Sequence, residues 1–411
     1  MYLYELDENI YGFSYEKYNF KEAKEKNLIN ADKIYYLFKN DPLKSRRSYI
    51  VSSPSLLFLE KEDINILNYT EKNADIPSWL KEKIDSKKVI GLNLNYPNFK
   101  DVLYGKNKKS WNINILALGD VGTTLLTGLK LLGGNKISNI GIYDRTLEKQ
   151  KRWEMEMNQV YSAFNYDTAE VKIIEKAELF DCDMFVFCAS KSVPKVGSDI
   201  KDVRMAQFES NSEIIKEYAM LARKEKFKGI FAVVSDPVDL LSKVVFLESN
   251  KNDNGDLDFL GLSPEQIRGY GLGVMNSRAV YYSKKNPNLN HFLDEGRAFG
   301  PHGEGLIIAD SIKNYNDELS IELTNKAKTA NLEMRKLGFK PYIAPALSSG
   351  SLSIIDTING NWHYSATFIG GVFMGAKNKL THNTIELEKL NLNRKLFDRL
   401  KKTYKTLGEI I

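Results

Sequence analysis

Long apolar runs, cysteines and histidines are all scarce in this chain of 411 residues. No apolar stretch approaches the ~20 residues that a bilayer-spanning helix needs, which argues against a transmembrane helix. The first residues, Met1 to Glu8, are acidic and lack an apolar centre, so they do not read as a secretory signal. The two cysteines, Cys182 and Cys188, are too few for a disulfide framework, and a cytoplasmic location is expected. Cys188 falls in an apolar, strand-like run and reads as a small buried hydrophobe. Four histidines, none spaced as ligands, give no reason to expect a metal. Charge of one sign is not in excess either. The 58 basic and 53 acidic side chains leave +5, spread along the chain without a basic block, so nucleic acid is not an expected partner.

What is present is the composition of a globular protein, 43% hydrophobic and 27% charged, long enough for two or three domains. From residue 111 onward, short apolar runs alternate with helical stretches. Strands are expected at 113–118, 137–143, 171–174, 184–188 and 229–234, and helices at 121–132, 146–160 and 203–226. Such alternation predicts a doubly wound α/β layer, a parallel sheet covered on both faces. After about residue 262 the pattern loosens into a second, α+β lobe, with helices near 316–338 and 391–409 and a β-rich stretch at 363–376. The expected division is 1–110, 111–261 and 262–411.

The first strand of the α/β layer runs into Ala117-Leu-Gly-Asp-Val-Gly-Thr-Thr and opens a helix. Gly119 lets a backbone approach a pyrophosphate, and Gly122 lets helix and strand pack closely. With Asp120 and Val121 between them, they put the helix N–H donors against phosphates. The first glycine of the usual pattern is replaced by Ala117. The second strand ends at Asp144, 22 residues after Gly122. A carboxylate there suits ribose hydroxyls and repels a 2′-phosphate, which favours NAD, although the adjacent Arg145 could pair with that phosphate. This is a Rossmann-type unit.

Further segments follow in order: Ala189 to Arg204, Asn211, Val233-Val-Ser-Asp-Pro (233–237), Gly269 to Arg278, and Phe299-Gly-Pro-His-Gly-Glu (299–304). The ordered set, from Gly119 to the closing 368–408 stretch, resembles the NAD-dependent lactate/malate dehydrogenase family over about residues 111–411. The resemblance implies hydride transfer to or from a 2-oxo or 2-hydroxy acid, and a homo-oligomer. It implies that His302 is the acid/base, that Arg278 clamps a substrate carboxylate, and that Arg204 polarises the reacting carbonyl from a mobile loop. Asn276 would lie by the substrate. Ala189, Asn211 and Ser235 would lie by the cofactor, with Asp236 close to both. Lys191 and Lys195 are candidates for sorting one acid from another.

Two departures stand out. Where the family pairs an aspartate with its histidine, this chain has Met275, so His302 is expected to be less firmly held. Asn276 or Glu304 could compensate. Ser-Asp-Pro also replaces the family's Ser-Asn-Pro. An ionised Asp236 only accepts hydrogen bonds. It would therefore favour a protonated nitrogen, such as an imine or amine beside a carboxylate, or pair with His302 itself.

Residues 1–110 hold 11 of the 22 tyrosines and read as a separate small α+β domain. A strand or hairpin is expected within Tyr49–Glu60 and short helices at Asp63–Glu71 and Pro77–Asp85. An oligomerisation or lid role is one reading. The order is also similar to winged domains that recognise leader peptides, which would make a peptide the substrate carrier. Two other readings differ in class: a dehydrogenase fold kept only for binding or scaffolding, and an NAD-using glycosidase, which would need a cysteine–histidine metal pair that the sequence does not offer.

Overall fold

The computed structural model describes residues 1–68, 75–105, 108–163, 168–191 and 203–411. The amino-terminal part contains β1 (Tyr2–Asp7), β2 (Ile10–Ser14), β3 (Lys21–Glu22), α1 (Glu25–Asn30), β4 (Ile34–Phe38), β5 (Ser48–Ile50), α2 (Ser78–Asp85) and β6 (Val89–Asn93). Its sheet runs β3-β1-β2-β4-β6-β5, with β2, β4 and β6 parallel. The runs Ile-Tyr-Tyr-Leu-Phe of β4 and Val-Ile-Gly-Leu-Asn of β6 are largely buried, as strands covered on both faces must be. Leu28, Leu80 and Ile84 pack on one face, and Tyr35, Leu37, Ile90 and Leu92 form the core on the other. No hairpin occupies Tyr49–Glu60. The strand stops at Ile50 and a 3-10 turn forms over Pro54–Phe58, because proline's fixed φ and missing N–H suit a first helical turn. The helix expected from Asp63 is only a turn, Ile64–Leu67, started by the Asp63 side chain accepting from Asn65 N; its expected end falls outside the described residues.

The remainder builds one nine-stranded sheet. In chain order come β7 (Trp111–Leu116), α3 (Asp120–Leu132), β8 (Ile137–Tyr143), α4 (Leu147–Asn158), β9 (Glu170–Ile173), β10 (Met184–Phe187), α5 (Val203–Lys224), β11 (Ile230–Val233), α6 (Val238–Ser249), β12 (Ile267–Gly269) and α7 (Leu272–Ser283). Then follow α8 (Phe292–Glu295), β13 (Arg297–Phe299), β14 (Ile307–Ala309), α9 (Asp317–Lys336), a π-helical segment (Pro345–Leu352), α10 (Ser353–Ile358), β15 (His363–Ile369), β16 (Val372–Thr381), β17 (Thr384–Leu387) and α11 (Arg394–Ile410). The strand order is β17-β16-β15-β12-β11-β10-β7-β8-β9, with β12 through β9 all parallel. Starting from β9, the six parallel strands follow the 3-2-1-4-5-6 order of a Rossmann-type sheet, whose strand order reverses between β7 and β10.

Alternate strand residues feed two cores. Phe185, Phe187 and Phe231 pack with Leu241 and Phe246 on one face, while Ile113, Ile115 and Val186 pack with Leu125 and Leu129 on the other. The expected boundary at 261/262 cuts through this sheet. β12 is its sixth parallel strand, and β15 to β17 continue it antiparallel through Gly269↔Ala366. Three residues, Ile-Arg-Gly, are too short and too polar to stand out as a strand in the sequence.

The amino-terminal sheet docks on this assembly through buried charge. Arg47 Nε meets Glu265 Oε1 at 2.7 Å, the Ser48 hydroxyl donates to the same oxygen at 3.0 Å, and Ser48 and Thr384 hydroxyls are 2.9 Å apart. Next to it, Arg46 pairs with Glu62 at 2.7 Å, both side chains nearly inaccessible. No described helix is long and apolar enough to cross a membrane.

Candidate active site

The site is built at the carboxyl edge of the parallel strands, where doubly wound sheets bind ligands. β7 hands over to α3 through Ala117, which adopts φ +77°, a left-handed conformation that costs a non-glycine residue about 1 kcal/mol. Two contacts hold it: Ala117 N donates to Tyr143 O and Leu118 N to Asp144 Oδ2, both at 2.8 Å. Asp144 also accepts from Thr146 N at 3.0 Å. The carboxylate expected for a ribose therefore braces the turn as well, with Lys149 Nζ 3.9 Å from its Oδ1, and two backbone donors leave it further acceptor capacity. The two glycines differ in the way the motif requires. A Cβ on Gly119 would meet nothing within 4 Å, whereas one on Gly122 would sit 2.1 Å from Ala117 O. Gly119 borders open space at the start of α3, and Gly122 lets α3 press against the turn. Asp120 is exposed and pairs with Lys340 Nζ at 3.1 Å, and Val121 is half-buried in the first turn.

The loops after β10 and β11 are stitched to each other. Ser235 Oγ donates to Ala189 O at 2.7 Å. The fully buried Asn211 donates to Asp236 O at 2.8 Å and to Ser190 Oγ at 3.3 Å, while its Oδ1 accepts from Lys191 N at 3.0 Å. Asn211 and Ser235, expected beside a cofactor, bond through their side chains to backbone and to Ser190, and so support the loops that carry Ala189 and Asp236.

His302 lies between β13 and β14, followed by Gly303 at φ +128°, a conformation that only glycine adopts freely. Its Nδ1 is 2.9 and 3.0 Å from the two oxygens of Asp236. The histidine therefore has a carboxylate partner, delivered from the loop after β11 and not from α7. The loosely held imidazole expected from Met275 is corrected by this contact. Of the two residues expected to compensate, Glu304 pairs with Lys328 at 2.8 Å, and Asn276 is half-buried on α7. Met275 is buried in the apolar core of the second lobe. An ionised carboxylate carries no proton, so Nδ1 is the protonated nitrogen and Nε2 is left for other chemistry.

Arg278 stands one turn further along α7. Among the described residues, its hydrogen-bond partners are neutral, Met275 Sδ at 3.4 Å and Ala327 O at 3.3 Å. Burial pushes its guanidinium below the ordinary arginine value, and the nearby charge of Asp236 opposes that shift. Asp236 thus links the imidazole and the guanidinium in one pocket. Gly271, at the start of α7, forms the wall, since a Cβ there would lie 3.1 Å from His302 Cβ. Sequence reasoning missed this contact, although Gly271 is in the Gly-Tyr-Gly run that was singled out. Arg204 falls in the first turn of α5, but its side chain, like Lys195, lies outside the described residues. Lys191 is exposed.

No family model matches the chain. An L-lactate dehydrogenase of Clostridium perfringens is 26% identical over 207 residues, 50% of this chain and 59% of that enzyme. The chain resembles the lactate/malate dehydrogenases. The match spans 59% of the curated relative's length, less than two thirds. A lactate dehydrogenase from a Medee basin deep-sea metagenome library superposes with a TM-score of 0.60 at 19% identity, covering 74% of this chain and 98% of the other. The malate dehydrogenase of Archaeoglobus fulgidus in complex with NADH gives 0.58 at 18% identity, covering 72% and 97%. At such identities the structural likeness speaks for the fold, and the dehydrogenase-like core is that fold.

Proposed function

We propose that this chain is an NAD-dependent oxidoreductase that moves hydride to or from a carboxylate-bearing small molecule, a 2-oxo or 2-hydroxy acid or a related imine or amine. The observation that carries the reading is the 2.9 Å contact between His302 and Asp236, in the same pocket as an Arg278 that lacks a carboxylate bond of its own. The curated L-lactate dehydrogenase relative supports the reaction class, and the NADH complex of the similar malate dehydrogenase supports the cofactor.

The residues at the β7–α3 turn fit a dinucleotide. Gly119 faces open space beside the first N–H groups of α3, and Asp144 retains acceptor capacity toward a ribose. A nicotinamide held there would supply or take up the hydride. Asp236 holds Nδ1–H, so Nε2 gives a proton to the substrate oxygen or nitrogen during reduction and removes it during oxidation. The Asp236 charge offsets that of the imidazolium as it forms. Arg278 offers a planar pair of N–H donors to the substrate carboxylate, fixing the distance between that group and His302. Arg204, at the start of α5, would polarise the reacting carbonyl, and Asn276 would lie by the substrate.

The test is NADH oxidation with a panel of 2-oxo acids, with and without ammonium, in the wild type and His302→Ala. Turnover that collapses in the variant supports the mechanism, and a variant with full activity removes it. NADH binding without turnover of any substrate would favour a binding or scaffolding role. Rapid reduction of pyruvate or oxaloacetate that Asp236→Asn leaves untouched would remove the imine alternative.

A further inference from the structure

Beneath α10, the nine-stranded sheet buries a polar cluster away from the pocket described above. At its centre is Arg268 on β12, 0% exposed. Its Nη1 donates to Asn378 Oδ1 at 2.7 Å. Its Nε and Nη2 are buried without a hydrogen-bond partner among the described residues. The antiparallel pairing at Gly269↔Ala366 places Thr367 across from Arg268, and the Thr367 hydroxyl is likewise buried without a partner.

The other polar atoms around it are occupied. His363 Nε2 faces Thr357 Oγ1 at 2.9 Å and Ser365 Oγ at 3.2 Å, with Nδ1 3.1 Å from Asn361 O. Asn378 Nδ2 donates to Ser365 Oγ at 2.9 Å and Ala376 O at 3.0 Å, and the Tyr270 hydroxyl meets Thr357 Oγ1 at 2.9 Å. Among the described residues, no carboxylate hydrogen-bonds within this network. Burial, reinforced by the Arg268 charge, pushes His363 down to about 3, so it stays neutral and is an acceptor for the hydroxyls. A fully buried guanidinium without counter-charge carries a penalty of several kcal/mol.

We infer that Arg268 and Thr367 bind a small monovalent inorganic anion of the halide class between the sheet and α10. The open donors are one Nε–H, two Nη2–H and one hydroxyl. They match a compact acceptor of single charge. A dianion would overcompensate the single charge of Arg268. The anion ties β12 to β15. Through Tyr270, β12 leads directly to Gly271, the wall beneath His302, and into α7 with Arg278. It is a structural brace, and it stands whether or not the proposed reaction is right.

Crystals of the full chain soaked in sodium bromide test it directly. A bromine anomalous peak within about 3.5 Å of Arg268 Nε and Nη2 is expected, and ordered water without anomalous signal at that place overturns the inference. In solution, thermal unfolding is compared in chloride and gluconate at equal ionic strength. The wild type should gain stability in chloride, rising with the logarithm of concentration. Thr367→Val should weaken the apparent halide affinity by about tenfold, and Arg268→Met should abolish the response. A chloride response unchanged in Arg268→Met refutes the site. If Arg268→Met does not fold, the bromide map and Thr367→Val decide.

Discussion

Replacing Asp236 with asparagine removes one charge and almost no volume. The Asn side-chain oxygen can still accept from His302 Nδ1, so the ring keeps its orientation and tautomer while losing its counter-charge. Two unit charges about 4 Å apart attract by about 4 kcal/mol at an effective dielectric near 20. The Asp236 side chain is 40% exposed against 18% for His302, so solvent screening brings this to about 2–3 kcal/mol. At about 1.4 kcal/mol per factor of ten, kcat should fall about 30- to 100-fold. That is less than the ~10⁴-fold loss seen when a buried triad aspartate is changed in a serine protease. The assay is steady-state NADH oxidation on the best 2-oxo acid, with NADH affinity measured separately by fluorescence. KM for the acid should move little, because Arg278 is intact, and NADH affinity should not change. A kcat within twofold of wild type would refute the assignment of Asp236 as the partner of His302.

Arg278→Gln should raise KM for the carboxylate substrate at least 100-fold, the loss of a charged bidentate pair at about 3 kcal/mol, with NADH affinity unchanged by titration. Gly122→Ala would force a Cβ to 2.1 Å from Ala117 O; NADH binding should be lost and the melting temperature should drop, as calorimetry would show. Arg47→Met leaves Glu265 uncompensated where the two sheets meet, their side chains 8% and 2% exposed, and should cost about 3–5 kcal/mol in chemical denaturation. Lys243 is pushed down from 10.5 to about 8 by burial. Between those values the unfolded chain binds more protons than the folded one, so this lysine makes stability rise with pH across that window. Lys243→Met should therefore melt higher than wild type at pH 7, an advantage that shrinks toward pH 10.5 in a series of thermal melts.

Much of the core was legible because parallel strands buried on both faces must be continuous apolar runs. Ile137–Tyr143 has the extent expected for it, and Met184–Phe187 and Ile230–Val233 differ from expectation only at their ends. β12 was not legible, being three residues long with an arginine at its centre. Nor was the amino-terminal sheet, where short strands rich in tyrosine and lysine give no clear period. The pocket was legible as residue types. Gly119, Gly122, Asp144, Arg278 and His302 were all marked before their places were known. Asn211 and Ser235 were marked too, but a polar side chain in a motif does not show whether it faces a ligand or the neighbouring loop.

By itself, the sequence determined the strand–helix alternation, the turn chemistry at Gly119 and Gly122, and the presence of an imidazole, a guanidinium and one carboxylate out of its usual place. These are local properties, set by side-chain size, periodicity and backbone freedom. Tertiary structure alone decided which of them meet. Asp236 and His302 are 66 positions apart, and only the adjacency of the β11 loop to the β13–β14 turn brings them to hydrogen-bonding distance. The same holds for Arg268, whose lack of a counter-charge emerges only when β15 and β16 close over it. Pairing and desolvation depend on distance and enclosure in space, which a linear pattern does not carry.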